Sequence, residues 1–235
     1  MSVLSLIRRF LNKFLDLPSI YKTAKRIEKS QQITILYYRD FFQQDIFKLI
    51  QRIKVENDLV MKDVEAIQLY KCVASTRKIK GDIAEIGTYN GASAKIICEA
   101  GKGKNIYLFD TFKGIPHIGK YDKAFHKGQF KGSYEFVQNY LKNYPNISIY
   151  KGLFPNTAKP IEDNKFSFVN LDVDTYQSTL DCLNFFYIRM SKGGIILSHD
   201  YVNAEGVRNA FNQFFNDKPE IIIQLTGTHV MVVKL

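Results

Sequence analysis

The sequence predicts an α/β fold, a doubly wound and mostly parallel sheet of seven strands behind a helical N-terminal extension. Three observations carry this. From Gly81 onward short apolar runs alternate with amphipathic stretches, the pattern of repeated β–α units. The C-terminal segment reads as strand, turn and strand instead of another such unit. Upstream of residue 79 the apolar spacing is helical only, so the expected division is an extension over 1–78 and a domain over 79–235.

In the extension, Leu4, Ile7, Leu11 and Phe14 fall at helical spacing over residues 4–15, and Pro18 ends that stretch. Further helices are expected over Ser30–Ile53 and Asp63–Lys78. The expected strands are Asp82–Ile86, Ile106–Phe109, Ile147–Tyr150, Phe166–Leu171 and Gly194–Ser198. The helices between and after them are Ala92–Glu99, Tyr134–Asn143, Thr179–Met190 and Glu205–Asn216. Ile221–Gln224, Gly227 and Val230–Lys234 form the closing hairpin. In such a sheet a ligand sits beyond the carboxyl ends of the strands, where the strand order reverses, so functional residues should follow strand ends.

Composition narrows the class. Hydrophobic residues make up 46% of the 235 positions, which excludes a wholly disordered chain. No apolar run approaches the roughly 18–20 residues needed to span a bilayer. Arg8, Arg9 and Lys13 interrupt the apolar N-terminus, so a cleaved signal peptide is not expected and the chain reads as cytoplasmic. Cys72, Cys98 and Cys182 have no paired spacing and read as reduced thiols. The net charge of +10 is concentrated in two places. Residues 1–30 carry seven Lys/Arg against Asp16 and Glu28, and Lys113, Lys120, Lys123, Lys127 and Lys131 face only Asp122 within 113–131. Two separate basic segments are not a contiguous nucleic-acid surface. They fit a tail that meets a membrane surface, or packs on the domain or a second copy in a homo-oligomer, and a lid that meets an anionic acceptor.

Four motifs follow strands. Glu85-Ile86-Gly87-Thr88-Tyr89-Asn90-Gly91-Ala92-Ser93 closes the first strand and opens a helix. Gly87 and Gly91 permit a tight turn and close backbone approach, but the spacing is E-x-G-x-x-x-G and not the dinucleotide fingerprint G-x-G-x-x-G. It suits the methionine part of S-adenosylmethionine, which has no phosphate. Asp110, 25 residues beyond Glu85 at the next strand end, is placed to accept ribose hydroxyls. Glu85, Gly87, Thr88, Tyr89, Asn90, Gly91, Ser93, Asp110, Thr111, Phe112 and Asp172 are the candidate cofactor contacts. Asn170-Leu171-Asp172-Val173-Asp174-Thr175-Tyr176 and Ser198-His199-Asp200-Tyr201 follow the fourth and fifth strands. Crowded carboxylates call for a cation or a proton, so Asp172, Asp174, His199 and Asp200 are candidate ligands of Mg²⁺ or Mn²⁺. The alternative is a metal-free centre in which His199 or an aspartate is the base.

Taken together, GDIAEIGTYNGAS, FDTFKGIP, YKGLFPNT, LDVDTYQSTLD and GGIILSHDY resemble, in order, the macrocin (TylF-type) O-methyltransferase family over about Gly81–Pro219. The resemblance implies the Rossmann-like class I methyltransferase fold, S-adenosylmethionine as cofactor, and methylation of sugar hydroxyls in glycan, polysaccharide or glycosylated natural-product pathways. It matches Glu85, Gly87 and Asp110 to cofactor positions, and Asp172 or Asp174 with Asp200 to Mg²⁺ positions. The chain departs where macrolide enzymes have Asp-Asp-Tyr, because it has His199-Asp200-Tyr201. Asp172, Asp174 and His199 are therefore the candidate catalytic groups, and Tyr176, Tyr201, His117 and Lys123 candidate acceptor contacts. The segment Lys113–Lys131, with Gly114, Gly119 and Gly128 as hinges, is the expected lid. Two competing readings are a catechol-type small-molecule O-methyltransferase and a non-catalytic glycan-pathway scaffold that keeps the fold.

Overall fold

The computed structural model describes residues 44–235. The expected helix over 4–15, the basic segment 1–30 and the start of the expected Ser30–Ile53 helix lie outside the described residues. Lys48–Leu235 forms one compact unit.

The elements are α1 (Gln44–Glu56), α2 (Asp63–Ser75), β1 (Asp82–Ile86), α3 (Ala92–Ala100), β2 (Ile106–Asp110), α4 (Tyr134–Tyr140), β3 (Ile147–Lys151), β4 (Phe166–Leu171), α5 (Tyr176–Phe186), β5 (Met190–Ser198), α6 (Glu205–Phe215), β6 (Ile223–Gln224) and β7 (Val230–Val233). They build one seven-stranded sheet in the order β3-β2-β1-β4-β5-β7-β6. Strands β1 to β5 run parallel to one another, and β7 runs antiparallel to both β5 and β6. The strand order reverses between β1 and β4, which makes their carboxyl ends the switch point.

The sequence pattern explains the layering. Every residue of the central strand β4 is buried, as a strand covered on both faces requires. Phe109, Phe166, Phe168, Phe186 and Phe211 are fully buried, and Phe154 stacks on Phe186 at 5.3 Å. Burial of each such ring is worth about 1.5–3 kcal/mol.

Both ends of α5 and the start of β5 differ from the expected boundaries for physical reasons. Helix α5 starts at Tyr176, ahead of Thr179, because the Asp122 carboxylate accepts the Tyr176 N–H from a distant segment (2.8 Å). It ends at Phe186, and a single 3₁₀ turn over Tyr187–Arg189 leads into β5. Strand β5 begins at Met190 because Lys192-Gly193-Gly194 forms a bulge within it: Phe166 pairs with Met190, yet Phe168 pairs with Ile195.

Candidate active site

Strand register places the site. Ile86 pairs with Leu171, and Leu171 with Ser198, so the residues that follow lie side by side. The ladder runs one bond further, Asp172 N–H donating to Ile86 O (2.9 Å) and His199 N–H to Leu171 O (3.0 Å). Gly87, Asp172 and His199 thus stand in a row across three strand ends. A side chain at Gly87 would lie 1.8 Å from the Asp172 carbonyl oxygen, and its φ is +94°, so only glycine fits. Four non-glycine residues with left-handed backbone, Tyr89, Phe112, Asp174 and Asp200, cluster just beyond β1, β2, β4 and β5. Strain of this kind gathers at functional sites, because the surrounding fold must hold it.

These ends open into one cavity of about 710 Å³. On one side it is lined by Gly87, Thr88, Tyr89, Ser93, Asp110 and Thr111, and on the other by Asp172, Asp174, His199 and Asp200. Asp110 is held rigidly: Oδ2 accepts Tyr89 N–H (2.7 Å) and Oδ1 accepts Phe112 N–H (2.6 Å). Burial nevertheless keeps its carboxyl above the usual aspartate value. Each oxygen retains a lone pair for a ligand hydroxyl.

Electrostatics centres on His199. Its Nδ1 lies 3.0 Å from Asp200 Oδ2 and 3.3 Å from Asp172 Oδ1, and its Nε2 lies 3.7 Å from Glu65 Oε2. Burial opposes protonation, but the three carboxylates outweigh it and hold the imidazolium far above the ordinary histidine range. In the Asp200 carboxylate the charge of His199 and the bonds from His199 and Asn203 overcome burial and lower its proton affinity. Burial and the charges of Asp172 and Asp200 push the Asp174 carboxyl well above the usual aspartate range. One ligand atom each from Asp172, His199 and Asp200 lies within 4.8 Å of the others, a spacing that fits a single hard cation once His199 gives up its proton.

The segment 113–131 crosses this cavity as a strap. Ile115 N–H donates to Gln129 O and Gly128 N–H to Ile115 O (both 2.9 Å), pairing its two arms. Its tip is pinned by buried Asp122, which accepts Gly119 N–H (2.8 Å) and Tyr176 N–H. Phe125, Gln129 and Phe130 face the cavity, and all five lysines are exposed. Lys113 and Lys127 join Lys151 of β3 around a second cavity of about 460 Å³, which shares the walls Thr111, Gly114–Pro116 and Gly152–Leu153.

Not every candidate lines the main cavity. Glu85 lies beneath it, fully buried, with Oε1 accepting Asn170 Nδ2 (3.0 Å), and burial pushes its carboxyl up to about 8. Asn90, Gly91 and Phe112 support the turns behind the wall. Tyr176 and Tyr201 point to α6, where their hydroxyls bond Gln213 and Asn212. His117 and Lys123 are exposed outside it. Sequence reasoning missed Glu65, Thr228 and the Asp58–Met61 segment, all of which line the cavity. Glu65 had a faint signal: it closes the first turn of α2 by accepting Lys62 N–H (2.8 Å), but Lys62 is no ordinary capping residue.

Comparison with known proteins places this architecture. In fold the domain is similar to the O-methyltransferase NovP (TM-score 0.63, 22% identity, 72% of this chain and 79% of that one). It is also similar to the O-methyltransferase from Bacillus cereus in complex with SAH (TM-score 0.57, 15% identity, 85% and 96%). The sheet is therefore that of the Rossmann-like class I methyltransferases. By sequence, the chain is 24% identical over 153 residues to the 8-demethyl-8-(2,3-dimethoxy-alpha-L-rhamnosyl)-tetracenomycin-C 4'-O-methyltransferase of Streptomyces olivaceus, covering 58% of each. It is 23% identical over 153 residues to the demethyldecarbamoylnovobiocin O-methyltransferase of Streptomyces niveus, again covering 58% of each. The match thus spans less than two thirds of the length of these curated relatives. The profile of the macrocin-O-methyltransferase (TylF) family matches residues 61–232, most of the chain, and the chain belongs to that family.

Proposed function

We propose that this protein transfers a methyl group from S-adenosylmethionine to a sugar hydroxyl of a glycan or glycosylated small molecule. The observation that carries the reading is the single cavity joining the Gly87–Asp110 side to the Asp172–His199–Asp200 cluster. S-adenosylmethionine supplies an electrophilic methyl carbon on a sulfonium. The chain's task is then to orient the acceptor oxygen in line with that carbon and to receive its proton. Ser93 and the Gly87 turn face the amino-acid end of the cofactor, and Asp110 its ribose. The acceptor hydroxyl sits at Asp172, His199 and Asp200. As the new C–O bond forms and the C–S bond breaks, the hydroxyl proton passes to a carboxylate of this cluster, leaving a methyl ether and a neutral thioether.

Asp172, His199 through Nδ1 and Asp200, with Asp174 beside them, are the residues that would hold a divalent cation. Such a cation would lower the pKa of the bound hydroxyl. With no cation bound the surrounding carboxylates favour the imidazolium form of His199, so the base is then a carboxylate of the cluster and not the ring. Two structural relatives are described as CalS11, one as a calicheamicin methyltransferase and one as a TDP-rhamnose 3'-O-methyltransferase. The Lys113–Lys127–Lys151 cavity supports an anionic acceptor of that broad kind. It lies by β3, about 14 Å or three strand spacings from Asp172, so the charge it meets is remote from the methylated hydroxyl. The test is incubation with S-adenosylmethionine and rhamnosides, free and nucleotide-diphosphate-linked, with products read by mass spectrometry. Methylated sugar is expected, lost on EDTA treatment and restored by Mg²⁺ or Mn²⁺. Turnover that survives exhaustive chelation would assign the cluster to metal-free base catalysis, and no product from any sugar would remove the sugar acceptor.

A further inference from the structure

Glu65 lies on α2, outside the sheet, with 2% of its surface exposed. Its Oε1 accepts Thr228 N–H (2.9 Å) and the Thr228 hydroxyl (3.0 Å), and its Oε2 accepts Lys62 N–H. The loop between β6 and β7 is moulded on this carboxylate: a side chain at Gly227 would come within 2.5 Å of Oε1. A buried carboxylate this well held, yet used by no step above, calls for an explanation.

The explanation is at His199. Its Nε2 is buried without a hydrogen-bond partner, a condition few buried polar atoms keep. Glu65 Oε2, at 3.7 Å, is the acidic oxygen facing it. The other neighbour on this side, His229, meets the ring edge-on at 5.2 Å and has its Nδ1 on Gln68 Oε1 (3.2 Å). On the opposite side Nδ1 faces Asp172 and Asp200. Those two carboxylates alone would draw the proton of a neutral ring onto Nδ1 and turn its lone pair into the protein. A ring that serves the centre through Nδ1 needs the reverse tautomer, with the proton on Nε2 and an acceptor beyond it.

We propose that Glu65 is a positioning residue: its Oε2 takes the Nε2–H of His199 and so presents Nδ1 to Asp172 and Asp200. The same carboxylate supports Asp200, because Thr228 Oγ1 accepts the Asp200 N–H (3.4 Å). The inference rests on the proposed function only in saying what Nδ1 serves.

The experiment labels the four histidines of the full chain with nitrogen-15 and follows the His199 imidazole N–H protons by NMR, assigned through their loss in His199→Gln. In the unsubstituted protein His199 should show a slowly exchanging Nε2–H, retained when Mg²⁺ is added. In Glu65→Gln that proton should exchange at least about tenfold faster or vanish. With a rhamnoside acceptor kcat should fall by about 10–100-fold, the usual effect of losing a ligand's supporting partner, while the KM for S-adenosylmethionine stays within about twofold. Thr228→Val removes one bond to Glu65 and the acceptor of the Asp200 N–H but leaves the carboxylate beside His199, so it should keep the Nε2–H. Absence of an Nε2–H on His199, the same exchange rate in Glu65→Gln, or its equal loss in Thr228→Val would each overturn the proposal. If the proton behaves as stated but no sugar is methylated, the functional reading fails and the positioning role stands.

Discussion

Replacing Glu85 by glutamine should abolish a specific part of the pH dependence of stability. The Glu85 carboxyl titrates near 8 in the folded chain against an ordinary value of 4.5, because burial disfavours its charge. A folded value above the unfolded one means that the stabilising effect is full below about 4.5 and is lost as pH rises through about 8. At about 1.4 kcal/mol per tenfold in proton affinity, the full span is about 5 kcal/mol, of which about 3–4 falls between pH 5 and pH 8. Glutamine keeps the bond from Asn170 and can donate to Ser93, but it has no charge to bury. His199 is also raised and loses stabilisation above its ordinary value of 6.5, so the unsubstituted protein falls for two reasons. The difference between the two proteins isolates Glu85. Urea unfolding across pH 5–8 should show the Glu85→Gln midpoint gaining on the unsubstituted one by about 1.5–2 M, taking about 2 kcal/mol per M. Parallel curves would refute the buried, protonated carboxyl.

Other consequences concern the ligands. Asp110→Ala should weaken S-adenosylmethionine binding by about 1.5–3 kcal/mol, measured by calorimetry, as hydrogen bonds to a charged group are lost. Unchanged affinity would remove the ribose assignment. If Lys113, Lys127 and Lys151 meet acceptor phosphate, raising salt should increase the KM for a nucleotide-diphosphate sugar more than it changes kcat. An equal salt response with a neutral glycoside would count against that role.

The sheet was legible because its signals are local. β1 and β4 run over Asp82–Ile86 and Phe166–Leu171, as their apolar runs and flanking turns foretold, and the motifs fell at the strand ends. What was not legible depends on residues distant in sequence. The first N–H of α5, at Tyr176, is satisfied by Asp122, 54 positions away, a contact that the local signal of Thr175 at the N-cap does not announce. Glu65 reaches His199 only because α2 packs back beside the strand ends, in a region whose sequence signals nothing but a helix. Tyr176 and Tyr201 looked like acceptor contacts because each follows a site aspartate. The left-handed turns at Asp174 and Asp200 carry the chain away, and both rings end against α6. Glu85 shows the same limit: its motif position was plain, but only packing reveals that it supports the wall from beneath.

The most direct test of the central claim is the single-turnover rate of methyl transfer from a preformed S-adenosylmethionine complex to a sugar acceptor, compared between the unsubstituted protein and Asp200→Asn. The substitution removes a charge from the cluster and leaves the Gly87–Asp110 side untouched, so cofactor affinity should stay within about twofold. The transfer rate should fall by about 10²–10⁴-fold, the range for losing a positioned proton-transfer group. A transfer rate equal to that of the unsubstituted protein would contradict the assignment of chemistry to Asp172, His199 and Asp200.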